Sequence, residues 1–85
     1  MTKDSITVYA TTWCPFCKKL LAGLRSQSIP FALVDVDENE EAGKWVESVN
    51  NGNRVVPTVY YSDGSHSTNP PIKQVVAKYQ ELIGR

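Results

Sequence analysis

Cys14 and Cys17 are the only thiols in the chain, three residues apart in the stretch Thr11-Thr12-Trp13-Cys14-Pro15-Phe16-Cys17-Lys18-Lys19. Thiol–disulfide exchange is the chemistry this spacing allows. Pro15 lacks an N–H and has a fixed φ, which suits the first position of a helix. Cys14 then falls at the cap, where the free N–H groups of the first turn and the positive end of the helix dipole favour a thiolate. Cysteines in such Cys-X-X-Cys settings have pKa values lowered from about 8.5 to roughly 3.5–7.5. Cys14 is therefore the candidate nucleophile. Cys17 follows one turn later, on the same helix face, and two such α-carbons lie on the order of 5–6 Å apart, within disulfide range. It shares the apolar stripe of the helix, four residues before Leu21, so it is expected to be less exposed than Cys14 and placed to resolve a disulfide rather than to start one.

Two other uses of the pair fit less well. Zinc takes about four ligands, and the only other soft ligand in the chain is His66, so no metal site is expected. A structural disulfide is unusual at this short spacing in a chain without an export signal.

The elements that must position the cysteines are legible from periodicity. Ser5 to Ala10 is β-branched and aromatic, with Ile6 and Val8 alternating against Thr7 and Tyr9, and reads as a strand. A helix is predicted from about Pro15 to Gln27, with Phe16, Leu20 and Leu24 on one line and Cys17 and Leu21 beside it. Phe31 to Val36 is nearly continuous in apolar residues, the pattern of a strand covered on both faces in a parallel βαβ unit. Asp37 followed by Glu40 resembles a capping box opening a second helix with Ala42, Trp45, Val46 and Val49 on its apolar side. Asn50 to Asn53 forms a turn cluster. A strand from about Thr58 to Tyr61, the hairpin signal Ser62-Asp63-Gly64-Ser65 and a short edge strand over His66 to Thr68 follow. Asn69 is expected to cap a last helix that opens with Pro70-Pro71, carries Ile72, Val75, Val76, Tyr79, Leu82 and Ile83 on one stripe, and ends at Gly84. The order β-α-β-α-β-β-α predicts an α/β fold: one mixed four-stranded sheet with three helices covering both faces. The first helix would then start at the carboxyl end of the first strand, where α/β folds place ligand chemistry.

The 85 residues suffice for one domain, residues 1–85, of which 41% are hydrophobic. Nine basic and nine acidic residues cancel, so neither a nucleic acid nor an anionic membrane is an expected partner. Met1 to Ser5 leads into an apolar run too short for a signal sequence, and no stretch is long enough to span a bilayer. A cytoplasmic, reducing location and a monomer are expected, and in that compartment a Cys-X-X-Cys pair is more often catalytic than structural.

Trp13-Cys14-Pro15-Phe16-Cys17, with Val56-Pro57-Thr58 well downstream in this element order, resembles the glutaredoxins over essentially the whole chain. The resemblance implies a thioredoxin-like fold, a redox-active Cys14–Cys17 pair and a cis bond before Pro57. That bond would turn the Val56 N–H and C=O toward the site to hold the amide of a cysteine-containing substrate. Glutathione-using members usually carry a lysine where this chain has Thr11, and a Gly-Gly then Asp where it has Ser67-Thr68-Asn69-Pro70-Pro71. Without those charged handles a zwitterionic tripeptide loses contacts worth about 1.5–3 kcal/mol each. The run from Val49 to Val59, with Asp63-Gly64-Ser65 and Thr68-Asn69-Pro70, is similar to the mycoredoxins of actinobacteria. That likeness implies no bound cofactor, mycothiol (a cysteine joined to an amino-sugar and inositol) as the reducing co-substrate, S-mycothiolated proteins as substrates and mycothiol disulfide reductase as an indirect partner.

Cys14 is then expected to work as a single thiol, with Cys17 forming an intramolecular disulfide as a side path. Trp13 and Phe16 wall the site, although Phe16 also reads as core. Val56 and Pro57 hold the substrate backbone. Arg54 either contacts substrate, helps stabilise the thiolate or solubilises the surface, and Thr68 and Asn69 either bind the sugar or, for Asn69, cap the helix. Thr11 and Thr12 sit near the thiolate or simply form the turn. Lys18, Lys19 and His66 read as surface residues, and Trp45 and Tyr79 as core anchors. Three rival uses stay open: an electron donor to a ribonucleotide reductase that needs both cysteines, a glutathione-dependent glutaredoxin, and an iron–sulfur binding module built on Cys14 from two chains.

Overall fold

The computed structural model describes residues 5–84; the Met1–Asp4 lead-in discussed above lies outside them. The elements run β1 (Ile6–Ala10), α1 (Pro15–Ser26), β2 (Ala32–Asp35), α2 (Glu40–Ser48), β3 (Thr58–Tyr61), β4 (His66–Thr68) and α3 (Ile72–Leu82). They form one four-stranded sheet in the order β2-β1-β3-β4. β1 pairs parallel with β2, Val8 opposite Leu33, and antiparallel with β3, Val8 opposite Val59. β3 continues antiparallel into β4, Val59 opposite Ser67. This is the thioredoxin-like arrangement of a mixed sheet with three helices.

Alternation along β1 divides the molecule into two layers of packing. Ile6, Val8 and Ala10 join Val59 and Tyr61 of β3 in a core roofed by Leu20, Leu21 and Leu24 of α1 and Val75 of α3. The close approach of α1 to α3 depends on Gly23, where a methyl group would come within 3.0 Å of Ile72. Tyr9 and Tyr60 point to the other face, where Trp45 of α2 meets them at ring-centroid distances of 4.8 and 5.7 Å. Trp45 therefore anchors the second layer rather than the main core, while Tyr79 packs against the main core. The hairpin between β3 and β4 turns at Gly64, whose φ of 93° demands a glycine. Its Asp63 is clasped to Lys78 of α3 at 2.7 Å.

Three local expectations are corrected. β2 is an edge strand of four residues, and Leu33 is 51% exposed, not a strand covered on both faces; the apolar run continues instead into Val36, buried beyond the strand end. The cap of α2 is Asn39, whose Oδ1 accepts from the Ala42 N–H at 3.0 Å. Asp37 is drawn away from that duty by Trp13, whose indole N–H it accepts at 2.9 Å. Asn69 does not cap α3. It takes a left-handed φ of 47° and donates its N–H to the Pro57 carbonyl at 2.7 Å, so Pro71 occupies the cap without a side-chain bond.

Candidate active site

The loop leaving the carboxyl end of β1 delivers Cys14 to the first turn of α1, with Pro15 immediately inside the helix. Cys14 is extended, at φ −86° and ψ 117°, so its side chain turns back over the turn and accepts the Cys17 N–H at 3.2 Å. The sulfur takes the place of a capping oxygen at the start of the helix. The Cys14 thiol also donates to the Val56 carbonyl at 3.7 Å, across the Val56–Pro57 peptide, which is cis. Both cysteines are free thiols. Cys17 is fully buried and Cys14 is 3% exposed, so the expected order holds, but the outer sulfur is well covered too.

Burial pushes the Cys17 thiol up to about 12, and its hydrogen bond with Cys14 adds to the effect; Thr11 pulls weakly the other way. The two thiols are thus chemically unequal. Cys17 stays protonated at neutral pH, while Cys14 accepts one backbone N–H at the start of the helix. Because the folded pKa of Cys17 lies above its unfolded value, the native state holds a proton that the unfolded chain gives up above about pH 9. The associated stability is complete below that pH and lost as pH rises toward 12. The urea midpoint of the reduced protein is expected to fall between pH 9 and 11, and to fall less steeply in Cys17→Ala.

Trp13 and Phe16 are 67% and 62% exposed. Phe16 is therefore not a core residue: it lines a groove of about 280 Å³ with Lys19, Leu20, Asn69, Pro71 and Ile72. Trp13 reaches the opposite way, to the turn between β2 and α2. Thr11 is buried, with a hydroxyl that finds no hydrogen-bond partner among the described residues, whereas Thr12 is exposed. The structure holds Arg54 on α2, its Nε 3.1 Å from Glu47 and its guanidinium lying over Gly43, where a methyl would come within 2.6 Å. Lys18, Lys19 and His66 are exposed, and His66 meets Trp45 edge-on at 6.0 Å.

Thr68 and Asn69 act on the segment that carries Val56. The Thr68 hydroxyl donates to Asn50 Oδ1. The Asn50 amide donates in turn to the Val46 carbonyl at 2.8 Å and to Thr58 Oγ1 at 3.3 Å, and Thr58 donates to the Val55 carbonyl at 2.7 Å. With Asn69 bound to Pro57, these contacts fix the peptide that faces Cys14 from both sides. Asn50 reads in the sequence only as a turn residue. Nothing in its neighbourhood signals that its side chain joins α2, β3 and β4.

A capped Cys-X-X-Cys helix facing a cis-proline peptide, on this sheet, defines a thiol–disulfide oxidoreductase of the glutaredoxin kind. The glutaredoxin family model matches residues 6–66, and the chain belongs to the glutaredoxin family. It is similar to mycoredoxin 1 of Corynebacterium glutamicum, with 58% identity over 79 residues, 93% of this chain and 98% of the relative. Among solved structures it is similar to the glutaredoxin of Archaeoglobus fulgidus, with a TM-score of 0.67, 26% identity and coverage of 98% of this chain and 89% of that one. A glutaredoxin from Methanosarcina mazei Go1 matches with a TM-score of 0.68 and 25% identity, over 96% of this chain and 80% of the other. Among the described residues no helix is long and apolar enough to cross a membrane.

Proposed function

We propose that this protein reduces mixed disulfides between proteins and mycothiol by a cycle that uses Cys14 alone. The observation that carries the single-thiol reading is the inequality of the two sulfurs: a capped Cys14 beside a fully buried Cys17 whose thiol is pushed up to about 12. Attack requires a thiolate, and burial, the largest cause of the Cys17 shift, disfavours that form. Similarity to mycoredoxin 1 supports mycothiol as the small thiol, as does the pairing of Arg54 with Glu47, which leaves that guanidinium engaged within the chain.

In the cycle, the Cys14 thiolate attacks the mycothiol sulfur of the mixed disulfide. The Cys14–mycothiol disulfide forms, the protein–mycothiol S–S bond breaks, and the protein sulfur leaves with the electron pair and takes a proton. A second mycothiol thiolate then attacks that mycothiol sulfur, releasing mycothiol disulfide and restoring the Cys14 thiolate. Mycothiol disulfide reductase would return the pool to its reduced form in the cytoplasm. Val56 and Pro57 present the backbone groups that hold the substrate cysteine, and Trp13, Phe16, Thr68 and Asn69 line or brace the approach.

The test is turnover of a protein mixed disulfide in parallel mycothiol and glutathione systems. A clear preference for mycothiol, by tenfold or more in kcat/KM, is expected. Equal or better turnover with glutathione would make this a glutathione-dependent glutaredoxin. Turnover only with a thioredoxin-type reductase would make it a dithiol electron donor.

A further inference from the structure

Trp13 combines exposure with a long-range hydrogen bond. It is 67% exposed, and yet its indole is held by a hydrogen bond to a residue twenty-four positions away, Trp13 Nε1 donating to Asp37 Oδ2 at 2.9 Å. An exposed side chain normally keeps its rotamer freedom, because fixing it costs entropy and no burial offsets that cost. Here the acceptor is itself fixed. Asp37 lies in the tight turn after β2, where its N–H is tied to Asp35 Oδ1 at 2.9 Å. Asp37 forms no ion pair among the described residues, and its other oxygen, Oδ1, is left to solvent or ligand. The ring of Trp13 stacks on no other ring among the described residues. The indole held by this bond therefore offers an exposed apolar face on the residue next to the nucleophile in the chain, bordered by an anionic acceptor.

We infer that Trp13 is the platform for the sugar of the thiol co-substrate and that Asp37 is the positioning residue that sets its orientation through the indole N–H. This rests on the mycothiol reading above and names what in the site would select the sugar. The C–H face of a pyranose packs on an indole face, and a rigid aromatic contributes that contact at little cost in conformational entropy. The Asp37 carboxylate accepts the indole N–H in a bond of the stronger, charge-assisted kind, and it repels a thiol that carries its own carboxylates.

The experiment compares two mixed disulfides of one carrier peptide, one with mycothiol and one with N-acetylcysteine amide, which lacks the sugar and, like mycothiol, carries no carboxylate. Each is assayed by kcat/KM in the full-length wild type and in Trp13→Ala, Asp37→Ala, Asp37→Asn and the double variant. The wild type is expected to prefer the mycothiol substrate, and Trp13→Ala to lower the preference ratio about tenfold, chiefly through KM. Asp37→Ala should lower it about threefold to fivefold, Asp37→Asn should recover most of that loss because the amide oxygen still accepts the indole N–H, and the double variant should be no worse than Trp13→Ala. In a Trp45→Phe background, Asp37→Ala should lower the fluorescence anisotropy of Trp13. A ratio unchanged in both single alanine variants, with the wild type preferring mycothiol, would overturn the platform while leaving the mycothiol reading intact. A wild type with no preference for mycothiol would overturn both.

Discussion

Replacing Cys14 with serine is expected to reduce mixed-disulfide turnover to the uncatalysed level, while Cys17→Ala keeps at least half of the wild-type rate. A serine hydroxyl at position 14 would still accept the Cys17 N–H, so the cap survives and the loss is chemical: no thiolate is available to attack a disulfide. The second half of the prediction follows from burial. Cys17 is fully buried among Leu20, Leu21 and Leu24 and holds its proton up to about pH 12, so it contributes little to attack at neutral pH. Alanine is the better probe than serine there, because a buried hydroxyl without a partner costs about 1–3 kcal/mol and would mix a folding defect into the rate. Steady-state reduction of an S-mycothiolated peptide by each variant is the measurement. Inactivity of a folded Cys17→Ala variant would establish a dithiol cycle instead.

The second large effect concerns the roof of the site. Leu24→Ala is expected to destabilise the protein by about 2–5 kcal/mol, read as a lower urea midpoint with an unchanged slope. Leu24 is fully buried on the face of α1 that meets the sheet, in the same cluster as both cysteines. A domain of this size has only about 5–15 kcal/mol in total, so one cavity removes a large share of its stability. Activity per folded molecule should change much less than stability, since Leu24 lies two turns beyond Cys17 and touches the reacting sulfur only through the packing of the helix.

Much of this arrangement is legible in the sequence because local chemistry and tertiary structure agree there. Pro15, the spacing of Leu20, Leu21 and Leu24, and the alternation of Ile6 and Val8 each specify one element, and the core uses those same residues. Where a side chain had two possible partners, local pattern could not choose between them. Asp37 has the right type and spacing for a cap, but the indole of Trp13 claims it, and Asn39 caps α2. Asn69 could have capped α3, but its N–H is needed by the Pro57 carbonyl, which pulls its backbone into the left-handed region. Phe16 sits on the helix stripe, yet the stripe rotates out of the core in the first turn, and the ring faces the groove. The family resemblance pointed to Val56 and Pro57. The Asn50 side chain that braces them had no signature, because its partners Thr58 and Thr68 join the local Val46 carbonyl only when the sheet closes.

The position of β1 between β2 and β3 has a consequence for how the chain comes to be folded. The strand that leads to Cys14 gains its parallel partner early, once α1 and β2 exist, but its antiparallel partner lies near the far end: Ile6 pairs with Tyr61. On a growing polypeptide the first half therefore carries an open, apolar strand edge until the second half emerges, the condition in which strands recruit one another between molecules. The redox loop is built on a strand that is enclosed only when β3 arrives, so a chain released before β3 has both cysteines and the helix that Cys14 caps but no peptide to set against the sulfur. Such fragments should aggregate rather than act as small, weak enzymes.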